Sequence, residues 1–182
     1  MAFLEKIRTG IGNYFLAKEV TKTNHARTIL NMKDVKTVGI LFEADNAEDI
    51  ELIKKYDIYL TQLGKTVKTA GYIKRKDVVA YIWPEPLYIS RDEINWFYKP
   101  KENFIANFVK EPLDLLIDTN LKARLPLMFV TASSKARCKV GRYSEKYKGL
   151  YDVMIETDET NTLKYFLRNV DTYMDMLNKQ KV

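Results

Sequence analysis

Two short apolar runs constrain this chain more than anything else in it. Thr-Val-Gly-Ile-Leu-Phe at 37–42 and Leu-Asp-Leu-Leu-Ile-Asp at 113–118 are too brief for helices. Their composition suits strands buried on both faces, as in a parallel sheet. The segment after the first run is helical in pattern: Asn46 suits an N-cap, Glu48 and Asp49 its first turn, and Ile50, Ile53, Leu60 and Leu63 an inner stripe that stops at Gly64.

The same alternation continues along the chain. Val67–Ile73 predicts a second strand, and Val78–Trp83 a third, ended by Pro84 and Pro86, which cannot donate ladder bonds. The 94–109 region has helical spacing around Phe97, Phe104, Ile105 and Phe108, broken by Pro100 into two short helices. A helix over 125–134 carries Pro126 in its first turn, and strands come next at Ala136–Val140 and Tyr151–Glu156. A last helix places Leu163, Phe166, Leu167, Val170, Met174 and Leu177 on one side. Strands alternating with helices predict an α/β fold, a single-domain Rossmann-like three-layer sandwich with a mostly parallel sheet over 35–182. A helical leader over 1–34 precedes it. Phe3, Leu4, Ile7, Ile11, Tyr14 and Phe15 give this leader an amphipathic stripe that Gly10 and Gly12 weaken. Such a helix would lie across the domain or pair with a second copy; Lys6, Arg8 and Lys18 also suit a membrane surface.

Composition narrows the function classes. The 182 residues fit one domain, and 46% hydrophobic with 30% charged residues is the balance of a folded soluble chain. No apolar stretch approaches the roughly 20 residues of a membrane span, and the first residues lack a secretory pattern, so a cytoplasmic location is the default. Cys138 is the sole cysteine and His25 the sole histidine, which leaves no disulfide, no common zinc set and no recognisable Cys–His pair. A net charge of +6 admits an anionic partner, but solubility alone accounts for it.

Two clusters are candidate sites. Glu43, Asp45 and Asp49 lie just after the first strand, where ligands of open α/β sheets sit, and Asp118, ending a neighbouring strand, would add a carboxylate for a cation or a general base. Asp45 and Asp49 equally suit a helix N-terminus. Lys135, Arg137, Lys139 and Arg142 form the second cluster, an anion-binding candidate interleaved with tyrosines. Period two would put Lys135, Arg137 and Lys139 on one strand face, to hold phosphates or to guard an edge strand. There are no glycines directly after the first strand, which disfavours a phosphate-cradling turn, and Ser133 and Ser134 have no base in the sequence around them. Trp83, Trp96, Phe97 and Tyr98 among prolines would line a pocket, face a partner or close the core.

The segments 113–118 and 135–141, the latter Lys-Ala-Arg-Cys-Lys-Val-Gly, resemble the N-terminal Rossmann-like domain of GT-B heptosyltransferases, in which an acidic-ended strand leads through a helix to a basic strand. That likeness implies the acceptor half of a glycosyltransferase. The pattern departs at Glu43-Ala44-Asp45-Asn46, where those enzymes have Gly-Asp, and the chain has no room for their sugar-nucleotide domain. With Val-Gly-Ile-Leu-Phe, Glu-Pro-Leu-Asp-Leu-Leu-Ile-Asp and Lys-Val-Gly-Arg-Tyr in this order, the whole chain looks more like a bacterial domain family of unknown function, which implies no activity. The expectation is a non-catalytic cytoplasmic binding or protein-interaction module, partnered by a second copy or another protein, with no cofactor. A small-ligand-binding protein or glycosyltransferase-related enzyme is the alternative, and a nucleic-acid binder comes third.

Overall fold

The computed structural model describes residues 2–23, 28–74, 83, 85–158 and 162–177. In chain order the elements are α1 (Ala2–Lys22), β1 (Thr37–Glu43), α2 (Ala47–Gln62), β2 (Thr66–Tyr72), β3 (Leu87–Ile89), α3 (Glu102–Lys110), β4 (Leu115–Asp118), α4 (Leu125–Ser133), β5 (Cys138–Arg142), β6 (Val153–Ile155) and α5 (Leu163–Met176). The six strands form one sheet in the order β3-β2-β1-β4-β5-β6, and every pairing is parallel. This is the doubly wound order of a Rossmann-like sheet. The two apolar runs lie side by side at its centre, with Val38 opposite Leu115 and Leu41 opposite Asp118.

Each face buries what its strands alternate onto it. Val38, Ile40, Phe42, Leu115, Ile117 and Val140 pack against Ile53 and Leu60 of α2 and Phe166 and Val170 of α5. Leu41, Ala70, Tyr72 and Leu116 pack against Ile105 and Phe108 of α3 and Leu127 and Val130 of α4. Asn46 caps α2 by accepting from the Asp49 amide at 2.7 Å. Gly64, at φ 76, ends the helix where only a residue without Cβ sits at ease.

The helix α4, Leu-Pro-Leu-Met-Phe-Val-Thr-Ala-Ser, is apolar almost all round, the pattern of a helix covered on every side. The cover on its outer side is α1, whose Leu16 and Val20 cluster with Met128, Phe129 and Ala132. Gly12 sits at the closest approach: a Cβ there would meet the Phe97 carbonyl oxygen at 2.7 Å and Leu125 Cδ1 at 2.9 Å.

Several sequence expectations are corrected. Most of the strand placed at Val78–Trp83 lies outside the described residues. The described third strand, Leu87–Ile89, comes after the prolines and pairs with β2, while Trp83 is buried and stacks on Phe42 at 5.6 Å. The 94–109 region holds one helix rather than two, because Ile94 and Pro100 form an antiparallel bridge before α3 begins. The pairing of β5 with both β4 and β6 makes it an interior strand. Lys139 is accordingly 3% exposed, not on a solvated edge.

Candidate functional site

The connections on either side of the β1–β4 pair run in opposite directions: β1 leads out towards β2, and β4 towards β5. Such a reversal opens a crevice beyond the carboxyl ends of the two central strands. Here it is a cavity of about 460 Å³ whose walls include Phe42, Glu43, Asp45, Asn46, Asp49, Thr119, Asn120, Lys122, Arg124 and Thr162. A second hollow of about 170 Å³ adjoins it and shares Asn120, Lys122 and Arg124; Asp118, Arg142, Tyr147 and Tyr151 complete it. The starts of α2, α4 and α5 all face this end of the sheet, through Asn46, Arg124 and Thr162. Their dipoles favour negative charge there.

Of the four predicted carboxylates, Glu43, Asp45 and Asp49 line the larger cavity, and Asp118 the smaller one. Their states differ. Asp49 accepts from Asn46 Nδ2 at 2.6 Å, completing the α2 cap, and Asp45 accepts from the Lys74 amide at 3.2 Å. Asp118 is buried; its carboxylate accepts from Tyr151 Oη at 2.7 Å and from the Asn120 amide at 3.2 Å. Burial lifts the Asp118 carboxyl above its ordinary value, against the pull of those donors. Tyr151 reaches it because Gly141 leaves room: a Cβ at 141 would lie 2.4 Å from the Tyr151 ring. Among the described residues, no three His, Cys, Asp or Glu side chains gather to hold a metal ion.

Glu43 pairs with Arg124 on the wall of the larger cavity, with Arg124 Nε 2.5 Å from Glu43 Oε1. The two charges engage each other directly, as a close ion pair. Burial raises the Glu43 carboxyl above the ordinary range, the Arg124 guanidinium opposes this, and the Asp45 carboxylate adds to it. Lys122 borders both hollows, is exposed, and forms no ion pair among the described residues. Arg142 donates through Nη1 to the Leu121 carbonyl, while its Nε has no partner among the described residues.

The predicted basic cluster is not brought together. Lys135 and Arg137 lie exposed before β5, where Arg137 pairs with Asp114 at 2.9 Å, and Arg142 lies at the opposite end of the strand. Lys139, between them, is buried beside Asp152, and burial pushes its amine down to about 8. Only Arg142 reaches the crevice. Trp83 and Phe97 pack inside, Phe97 stacking on Phe15 at 4.5 Å, whereas Trp96 is exposed.

Sequence reasoning missed Asn120, Lys122 and Arg124, and took Tyr151 only as one of the tyrosines interleaved with the basic cluster. The signal for the first three was the polar stretch Thr-Asn-Leu-Lys-Ala-Arg directly after the second apolar run, at the position equivalent to the Glu43 loop. Tyr151 carries no such signal, because only Gly141 on a neighbouring strand admits it.

The model of a family of unknown function, DUF6913, matches residues 8–177, and the chain belongs to that family. No curated protein and no solved structure matches the chain, and neither comparison supports the expected likeness to heptosyltransferases.

Proposed function

We propose that this protein is a non-catalytic binding module whose ligand is a small anionic molecule held in the crevice between the ends of β1 and β4. One observation carries the reading. Five buried side-chain polar atoms lack a hydrogen-bond partner among the described residues. Two of them, Asn120 Oδ1 and Arg142 Nε, belong to residues lining the two adjoining hollows, whereas Glu43 Oε1 and Arg124 Nε on the same walls are each other's ion-pair partner. Buried polar groups are almost always partnered, because an orphan costs about 1–3 kcal/mol. A pair of orphans around open volume is the pattern of a site whose missing partners come from what fills it.

The charge of the ligand is set by the cations. Lys122 has no ion pair among the described residues, Arg124 is paired with Glu43, and Arg142 donates to a backbone carbonyl while its Nε has no partner among the described residues. Three helix starts add positive potential. The acids are less available: Asp118 is bonded by Tyr151 and Asn120, and Asp49 by Asn46. Phosphate or carboxylate groups therefore suit the site better than a cation does. Asn120 Oδ1 remains as an acceptor for a hydroxyl or amino group on the same molecule.

A thermal-shift titration with inorganic phosphate, pyrophosphate, nucleoside monophosphates and dicarboxylates tests this. A ligand that binds only the folded chain stabilises it by mass action, about 2.7 kcal/mol at a hundredfold excess over Kd. At least one of these anions is expected to raise Tm saturably, and Lys122→Met, which removes an exposed cation at the rim of both hollows, is expected to weaken that response several-fold. No saturable shift with any of them, or an equal shift in the variant, contradicts the reading.

A further inference from the structure

Most of the apolar stripe of α1 faces away from the protein, while Phe15 at its margin stacks on Phe97 at 4.5 Å. At 100° per residue, Phe3, Leu4, Ile7, Ile11, Tyr14 and Phe15 fall within an arc of about 120°, along about 18 Å of helix. Phe3 is 74% exposed, Leu4 65% and Tyr14 57%, and the other three remain more than a third exposed. The opposite side of the helix, Gly12, Leu16 and Val20, is the side that packs. Gly12 fixes this orientation: its backbone lies so close to Phe97 and Leu125 that a turn of the helix would drive a side chain into the Phe97 carbonyl.

The charges around the stripe select what covers it. Lys6 lies to one side of it and Lys18 continues its line, 4.6 Å from the Tyr14 ring centroid. Beyond the first turns, Arg8, Lys74 and Arg91 wall an open hollow of about 630 Å³ together with Leu4, Glu5 and the exposed Trp96, and Arg8 donates to the Trp96 carbonyl and lies over the Tyr98 ring. Against these cations stand two acids on the helix, Glu5 and Glu19, and Glu19 is already engaged by Lys99 at 3.2 Å. A second copy of this surface would bring like charges together with little acid to meet them. A bilayer with acidic headgroups takes the apolar stripe and answers the cations in one contact, with Trp96 placed where aromatic side chains favour the interface.

We infer that α1 is an interfacial helix that lays its Phe3–Phe15 stripe into an anionic lipid surface and holds the sheet domain against it. The helix lies on the bilayer and does not cross it; among the described residues no helix is long and apolar enough to span one. This inference is independent of the crevice, which opens beyond β1 and β4.

Flotation of the full chain with vesicles of phosphatidylglycerol and phosphatidylcholine in equal parts, and with phosphatidylcholine alone, tests it. Binding to the acidic vesicles is expected, with little to the neutral ones. The double substitution Phe3→Ser with Leu4→Ser alters only exposed side chains, and an unchanged thermal transition verifies its fold. It is expected to lower vesicle partition roughly tenfold, and Lys6→Gln to lower it less. Absence of flotation, or flotation unaffected by the double substitution, overturns the inference. So does a dimer in light scattering that the double substitution dissociates.

Discussion

Lys139 is the residue at which local pattern and whole-molecule packing disagree most. Its strand neighbours would send it outward with Lys135 and Arg137, yet β5 lies between β4 and β6 and the side chain is buried. A buried amine resists its charge, and burial pushes this one down from 10.5 to about 8. Below pH 8 the amine is protonated in both states, and the fold bears the full cost of a buried charge, on the order of 3 kcal/mol. Between pH 8 and 10.5 the unfolded chain holds a proton that the folded chain has released, so stability rises with pH across that window. Lys139→Met is therefore expected to raise Tm by several degrees at neutral pH and to flatten the rise above pH 8. Urea melts at a series of pH values check both; an unchanged or lowered stability at pH 7 would contradict the assignment of the charge to the interior.

At the scale of elements, α1 and α4 make one unit, because α4 is apolar on the side away from the sheet as well as on the side against it. The two glycines of α1 then have opposite signs. Alanine normally stabilises a helix by about 1 kcal/mol over glycine. Gly10 has nothing within 4 Å of its would-be Cβ, so Gly10→Ala is expected to stabilise by about that amount. Gly12→Ala is expected to destabilise, because the new carbon meets a backbone carbonyl that cannot swing away. Thermal melts of the two single variants check the pair; equal effects would mean that α1 is not docked as described.

The helices were legible where caps and stripes agree: Asn46 and Gly64 bound α2 in sequence as in space. The α1 stripe was legible too, but periodicity reports that a face is apolar and not which side is covered. That depended on Gly12, Leu16 and Val20, which form no conspicuous pattern. The third strand was illegible for a different reason: three residues at a sheet edge are too few to show alternation.

For the whole molecule, the strand order decides where function can sit. Glu43, Asp45 and Asp49 were legible because they come directly after a buried run. Their partners Asn120, Lys122 and Arg124 were not, since only the pairing of β1 with β4 brings the two loops to one crevice. That pairing is long-range, and one sequence does not display it. The central claim is that this crevice, and not the exposed cations before β5, binds small anions. Backbone amide NMR during titration with inorganic pyrophosphate tests it most directly. Saturable shifts are expected at Asn46, Asp49, Asn120 to Arg124 and Thr162, reduced in Lys122→Met. Shifts centred on Lys135 and Arg137, or none that saturate, would contradict it.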